Sequence, residues 1–387
     1  MKLRLITKNI VDAVNKATGT LPKKTTIDAL FNFLLKAENG QFTITANNLQ
    51  TAVIVSCEAE IKEEGKCLVD GKRFSSFVKM FSDGNLELDL QTSATELTIK
   101  YGKSKTKFAI QNADIYPELP KVEKWENTIS VPQSAVKKAI VNTVFVLGDS
   151  EVNNAQTGGV NFNATADGLE LISLSGATIA IRNIELANGS DFHFNIPLDS
   201  AVELKKVLSE KDGNGDVKIE SSATEGYVQM TIDNVIFLIR LSSKEFPKNL
   251  VDSLQKLPET YTDMLTIVAD RKDLVEILNR CTLISTDITT QAVVLSVKED
   301  TDLRIQRRSE IGDIDEYLEI EKTVKGTESV LRKGFNVKFL LNVFNNISDD
   351  TVTFISAFSD KSPAIIKGDD YFYAISPCFI PNELKDN

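Results

Sequence analysis

Most enzymes act through histidine, paired carboxylates or cysteine, and this sequence offers few arrangements of them. His193 is the only histidine in 387 residues. It lies in the alternating stretch DFHFNIP, where an ordinary strand side chain is expected, and no Ser-His-Asp set can be built around it. Asp212, Asn214 and Asp216 mimic the start of a calcium loop, but Val217 stands where glycine is needed and Ala223 where the closing glutamate is needed. A turn between helix and strand is the expectation there. Cys57, Cys67, Cys281 and Cys378 are scattered without a CxxC pair, which argues against a disulfide framework or zinc site and fits a reducing cytoplasm. Neither GxxxxGK[ST] nor GxGxxG occurs, so nucleotide binding has no support. No catalytic residue, cofactor or metal is expected, and of the functional readings an acidic hydrolase is the weakest.

The chemistry that remains is phosphate binding by lysine. The whole chain carries 44 Lys+Arg against 55 Asp+Glu, a net charge of −11, which argues against an overall basic coat for nucleic acid and leaves the placement of the basic residues to decide. The distribution is uneven. Six candidate helices together carry about +6, leaving about −17 for strands and loops. Lys72 and Lys79 project opposite an apolar stripe, as do Lys137 and Lys138, and Lys205, Lys206 and Lys338 lie on later helices. For one helix, a lysine-bearing outer face is only what solvent requires. Six such faces turned to one side would attract a polyanion without reading its sequence.

The helices that must position these lysines begin near Lys8, Lys72, Gln133, Ser200, Arg271 and Val337, spaced by about 61 to 71 residues, the sign of a repeated unit. Phe74, Phe77, Val78 and Phe81 fall at i, i+3, i+4, i+7, and Val337, Leu340, Leu341 and Phe344 repeat that spacing. Between helices the period is two, as in NLELDLQ (85–91), ELTIKYG (96–102), VKIES (217–221), YVQMTID (227–233) and TVTFISAF (351–358). Each unit reads as strand, helix, three strands. One unit cannot bury its apolar faces alone, so pairs should form three α+β domains, 1–126, 127–260 and 261–387. The joints YPELPKVEKWEN (116–127) and KNLVDSLQKLPET (248–260) read as linkers. The N-terminus has no apolar core of signal length, and no stretch reaches the roughly 18 apolar residues of a membrane span; a cytoplasmic protein without membrane partners is expected.

In the order of its segments the whole chain resembles the bacterial DNA sliding clamp family, the beta subunit of DNA polymerase III. The resemblance runs from MKLRL through Thr18-Gly19 to LPKKTTIDAL (21–30), VPQSAVKKAI (131–140), EFP (245–247), KGFNVKFLLNVFNNI (333–347) and YAISPCFI (373–380). It implies a processivity factor: a head-to-tail homodimer whose helices line a hole for double-stranded DNA. It also implies tethering of clamp loader and polymerase through short peptide motifs. Lys24 stands where the family carries an arginine that touches DNA. By position, Phe108 and Ile110 should meet Leu283 and Ile284 of the other copy, with Lys105 and Lys107 facing Asp313, Asp315 and Glu316; ordinary core packing is the alternative for Phe108 and Ile110. The partner pocket maps to Leu174, Gly176, Ala177, Thr178, Ile179, Pro247, Ala374, Ser376, Pro377 and Cys378.

The chain departs from the family in that pocket. Where the family reads Thr-Asp-Gly-His-Arg-Leu-Ala, residues 174–180 read Leu-Ser-Gly-Ala-Thr-Ile-Ala, and Met-Pro-Met becomes Ser376-Pro377-Cys378. The pocket keeps its apolar character and loses polar handles, so an altered motif preference follows. Leu198-Asp199 replaces a basic pair, and Asp12 a lysine. A divergent or secondary copy acting as a scaffold with altered partner specificity is therefore the alternative reading.

Overall fold

The computed structural model describes residues 1–148, 159–176, 178–186, 191–284, 292–298 and 302–380. Helices Thr7–Thr18, Gly71–Val78, Gln133–Val144, Leu198–Val207, Arg271–Leu283 and Val337–Asn345 begin within two residues of the starts expected from period. Their apolar spacing explains them. Thr7–Thr18 buries Ile10, Ala13, Val14 and Ala17, and Val337–Asn345 buries Val337, Leu340, Leu341 and Phe344. Burying such a leucine or phenylalanine contributes about 1.5–3 kcal/mol, far more than helix propensity does.

Three of the helices start alike. The side chains of Asp70, Asp270 and Asn336 accept hydrogen bonds from the backbone N–H groups of Arg73, Asp273 and of Lys338 and Phe339 respectively. One expectation is corrected: Gly71–Val78 stops short of Phe81, so that stripe is cut to Phe74, Phe77 and Val78. Phe81 instead meets Phe77 and Tyr101 edge-on, with centroids 5.3 and 5.1 Å away.

Each of these six helices is preceded by a strand and followed by three, except that four strands follow Thr7–Thr18 and Arg271–Leu283 before the strand that leads into the next helix, and the described strands pair antiparallel throughout. Tight turns set the register. Asn39 and Gly40, at φ +51° and +75°, supply the left-handed pair that lets Glu38 face Gln41 across the hairpin. The described residues gather into two compact units, Met1–Lys137 with Asp199–Ser243 and Lys138–Leu198 with Lys244–Asn387.

The first unit holds a 13-stranded sheet, in which Val235–Arg240 pairs with Thr51–Cys57. The second holds a 9-stranded sheet, in which Thr178–Glu185 pairs with Tyr371–Ile375, and a 4-stranded sheet. The strands of the central segment are thus shared between two sheets, which is why six repeats gather into two units.

Alternation along the 9-stranded sheet divides the core of the second unit. Leu265, Ile267, Phe354, Ile366, Tyr371 and Tyr373 face the helices Arg271–Leu283 and Val337–Asn345. Ile172, Leu174, Ile179, Ile181, Phe372 and Ala374 face the other way and are covered by Phe246, Val251 and Leu254. The cover is a further correction, because 248–260 is no linker: it folds into helix Lys248–Gln255 and the single turn Leu257–Thr260. The reason is Val251, which is buried, while the neighbouring Leu250 stays exposed and blurs the period.

Candidate nucleic-acid interface and partner groove

The lysines singled out for phosphate contact project from the solvent side of the helices. Val136, Ala139 and Ile140 are buried beneath Lys137 and Lys138, and Lys72, Lys79, Lys206 and Lys338 are exposed. Lys24 is exposed after the first helix, and Lys205 is half-buried. Several are held by the chain's own carboxylates: Lys137 by Glu210 at 2.9 Å, Lys138 by Asp370 at 3.4 Å, Lys206 by Glu203 at 2.7 Å. Lys16 likewise binds Asp12 at 2.8 Å, one turn earlier on the first helix. Among the described residues Lys24, Lys72, Lys79, Lys205 and Lys338 have no ion pair. The neighbouring Lys137 ammonium holds the Glu210 carboxyl below the usual range.

The residues mapped to the partner pocket fall into two groups. Leu174 lies opposite Ile179 on neighbouring strands, and Ile179 opposite Ala374, so these three form one apolar floor. Each is at most 2% exposed, closed over by the 246–254 segment. Thr178 is buried at the hairpin, where Gly176 takes φ +60°, and Pro247 is half-buried at the start of the covering helix. Ala177 lies outside the described residues.

Ser376, Pro377 and Cys378 line a different space, a groove of about 840 Å³ whose other walls include Arg332, Lys333, Asp360 and Phe379. Gly334 makes that wall possible. The Cys378 N–H donates to the Gly334 carbonyl at 2.8 Å, and a Cβ on Gly334 would stand 2.8 Å from the Cys378 carbonyl oxygen.

The residues expected at a subunit boundary lie on strand ends and helix ends. Ser104–Gln111 pairs fully with Glu96–Tyr101 on one side, but on the other only Ile110 and Gln111 pair, with Val69 and Leu68, leaving much of that edge open. Phe108 is half-buried against Phe74 and Phe77, at 5.8 and 5.2 Å between centroids, so its ring also packs locally. Leu283, the last residue of its helix, is 79% exposed. Ile284 follows it, half-buried. The acidic run is engaged within the chain: Asp315 with Arg304 at 2.6 Å, Glu316 with Arg280 at 2.5 Å, Asp313 with Arg308 at 3.2 Å. Lys107 in turn binds Glu96 at 2.6 Å.

The sequence matches three families in chain order: the DNA polymerase III beta subunit N-terminal domain over residues 1–120, its central domain over 130–248 and its C-terminal domain over 255–375. The chain belongs to the DNA polymerase III beta subunit family. It has the three-domain clamp fold. The beta sliding clamp of Mycoplasma capricolum is 25% identical over 385 residues, covering 96% of this chain and 98% of the relative. That of Halalkalibacterium halodurans is 24% identical, covering 93% and 94%. A solved structure of a DNA polymerase III beta subunit from Eubacterium rectale superposes with TM-score 0.88 at 24% identity, covering 98% of this chain and all of that one, and the Bacillus subtilis sliding clamp with 0.87 at 21% and the same coverage.

In this clamp chain the enzyme-like signals of the sequence have ordinary structural uses. His193 is an exposed strand residue opposite Asn163. Asp212 and Asn214 lie in the turn before strand Asp216–Ser222; Asn214 donates to Ser209 Oγ at 2.7 Å, and Asp216 accepts from Ser130 at 3.0 Å. No metal-holding cluster is found among the described residues. The four cysteines are free thiols, and burial pushes Cys57 and Cys67 up to about 12. No helix is long and apolar enough to cross a membrane.

Sequence reading missed three buried cations, Arg182, Arg307 and Lys333. Arg182 is 2% exposed, donating to Asp370 at 2.7 Å and to the Asn346 carbonyl at 2.6 Å. Lys333 is 1% exposed, on the strand before the last helix. Lys333 between Leu331 and Phe335, and Arg307 after Ile305, stand where alternation turns side chains inward, but a charge is read from sequence as facing solvent.

Proposed function

We infer that this chain is a DNA polymerase processivity factor that acts without catalysis. Two copies close head to tail into a ring around double-stranded DNA and tether polymerase, clamp loader and other DNA-processing proteins through short peptides. The carrying observation is the order of six strand-helix units, each followed by three or four strands, in a chain of the beta subunit family, with lysines on the helices' solvent sides. The helices face the DNA, with Lys24, Lys72, Lys79, Lys137, Lys138, Lys205, Lys206 and Lys338 as contacts to phosphate and water. Such contacts hold DNA without reading it, which sliding requires.

The domains divide at 126 and 260. Phe108 and Ile110 of one copy meet Leu283 and Ile284 of the other. The partner site comprises the apolar floor at Leu174, Ile179 and Ala374 and the groove at Ser376–Cys378. The work takes place in the cytoplasm. The relatives named above are beta sliding clamps, which favours processivity over a divergent scaffold.

The test is topological. After loading onto nicked circular DNA, the protein should remain bound through gel filtration in high salt and be lost when the circle is linearised. Retention on the linear product would refute encirclement.

A further inference from the structure

We propose that Arg182 pins the joint between the central and C-terminal domains, so that this joint turns as one rigid block and bending of the chain is taken up at the joint between the N-terminal and central domains. The use drawn from it, a ring that opens to admit DNA, rests on the reading above; the pin itself does not.

The pinned joint is the pairing of Thr178–Glu185 with Tyr371–Ile375. Ile179, Ile181, Phe372 and Ala374 lie on one face of it, and Ala180, Arg182, Tyr371 and Tyr373 on the other, toward the helices. Arg182 is 2% exposed, and a guanidinium taken out of water is costly unless its N–H groups are met. Its partners all come from the C-terminal domain. One terminal nitrogen donates to Asp370 Oδ1 at 2.7 Å, the other to the Asn346 carbonyl at 2.6 Å, and the guanidinium carbon lies 4.9 Å from the centroid of the Tyr371 ring. The cation thus belongs to one domain and the groups that compensate it to the other. A slight parting of the strands leaves the charge unpaired before water can reach it, so small openings are steeply opposed. Such a joint holds or breaks; it does not flex.

Neighbouring groups tie the same two domains. The second carboxylate oxygen of Asp370 accepts from Lys138 at 3.4 Å, and the Asp370 carbonyl accepts from the Asn183 N–H at 2.9 Å. The Tyr373 hydroxyl donates to the Asn142 carbonyl at 3.2 Å.

The other joint, where Val235–Arg240 pairs with Thr51–Cys57, is built differently. The Thr51 and Ser200 hydroxyls stand 2.6 Å apart, Lys16 donates to Asn234 Oδ1 at 3.0 Å, and Asn234 Nδ2 donates to the Ser56 carbonyl at 2.6 Å. Among the described residues the remaining buried cations, Arg307 and Lys333, lie on the 4-stranded sheet, away from this joint. Neutral hydroxyls and exposed amides exchange a protein partner for water at small cost, so this joint yields first. In a ring that opens, the pinned block carries the apolar floor at Leu174, Ile179 and Ala374 through the movement undistorted.

Hydrogen–deuterium exchange read by mass spectrometry on the full-length protein reports both joints at once. In the wild type, amides of 51–57 and 235–240 should exchange faster than those of 178–185 and 371–375. Arg182→Met and Asp370→Asn should each speed exchange in 178–185 and 371–375 at least ~10-fold and leave 51–57 and 235–240 unchanged, because local opening sets the rate. Asp370→Asn, made at a side chain 47% exposed, carries the test if Arg182→Met does not fold. Equal protection of the two joints in the wild type, or no acceleration in the variants, overturns the proposal. So does equal acceleration at both joints, which makes Arg182 a contributor to global stability alone. Exchange needs neither DNA nor a closed ring, so if retention on nicked circles fails while this pattern holds, the pin stands and the ring reading falls.

Discussion

How strongly a phosphate is felt at the helices depends on the carboxylates beside each lysine. Lys137 and Lys206 are paired with Glu210 and Glu203, and in the proposed ring they would meet DNA in that state. A phosphate must then compete with an internal carboxylate, and less counterion is released at each such lysine. Glu203→Gln and Glu210→Gln should tighten duplex binding and steepen the plot of log K against log salt, by up to ~0.9 for each additional phosphate neutralised. Unchanged slopes would mean that these lysines do not meet DNA.

A second residue-level test concerns Lys333. Its folded pKa of about 8 lies below its ordinary 10.5, so between those values the unfolded chain binds a proton that the folded one does not. By linkage, stability gained from this group rises as pH climbs through that window. Cys57, Cys67 and Cys281, pushed above their ordinary 9.0, act oppositely above pH 9. The difference between wild type and Lys333→Met isolates the lysine: wild type should gain on the variant from pH 8 to 10 in urea melts, and parallel curves would contradict it. The sequence displays every lysine in these arguments but not its partner, because Glu210 and Asp370 reach Lys137 and Lys138 only through the fold.

Among the elements, the helix starts were readable because period, apolar stripe and capping side chain agree at Asp70, Asp270 and Asn336. The Asn336 cap is placed to matter, since its carbonyl oxygen accepts from Lys338 N at 2.9 Å and Phe339 N at 3.4 Å, at the head of a helix buried along one face. Asn336→Ala should cost about 1 kcal/mol, seen as a lower urea midpoint with unchanged slope. No shift would show that solvent satisfies those N–H groups equally well.

The covering helix Lys248–Gln255 was unreadable for the converse reason. It buries Val251 and part of Leu254 and exposes Leu250, so its pattern is that of an irregular link. The closed state of the apolar floor depends on this helix. The altered residues at 174–180 could be aligned from sequence alone, but that Leu174, Ile179 and Ala374 lie beneath a lid of Phe246 and Val251 could not.

For the whole molecule, the decisive question is whether two chains close. Leu283 ends its helix 79% exposed, a large apolar group that a monomer would leave in water. In the proposed ring the open edge at 104–109 and the half-buried Phe108 would be the matching surface on the other copy, and head-to-tail contacts make a ring only when the same join forms twice. Leu283→Asp introduces a charge at both joins at once. Because Leu283 is exposed in the single chain, its replacement should leave the melting of the isolated subunit nearly unchanged. Light scattering should then find the wild type at twice the 42.8 kDa subunit mass and the variant at one. The variant should also be lost from nicked circles. If Leu283→Asp remains dimeric, the join lies elsewhere on these two edges; if it becomes monomeric yet stays on circular DNA, retention does not come from encirclement.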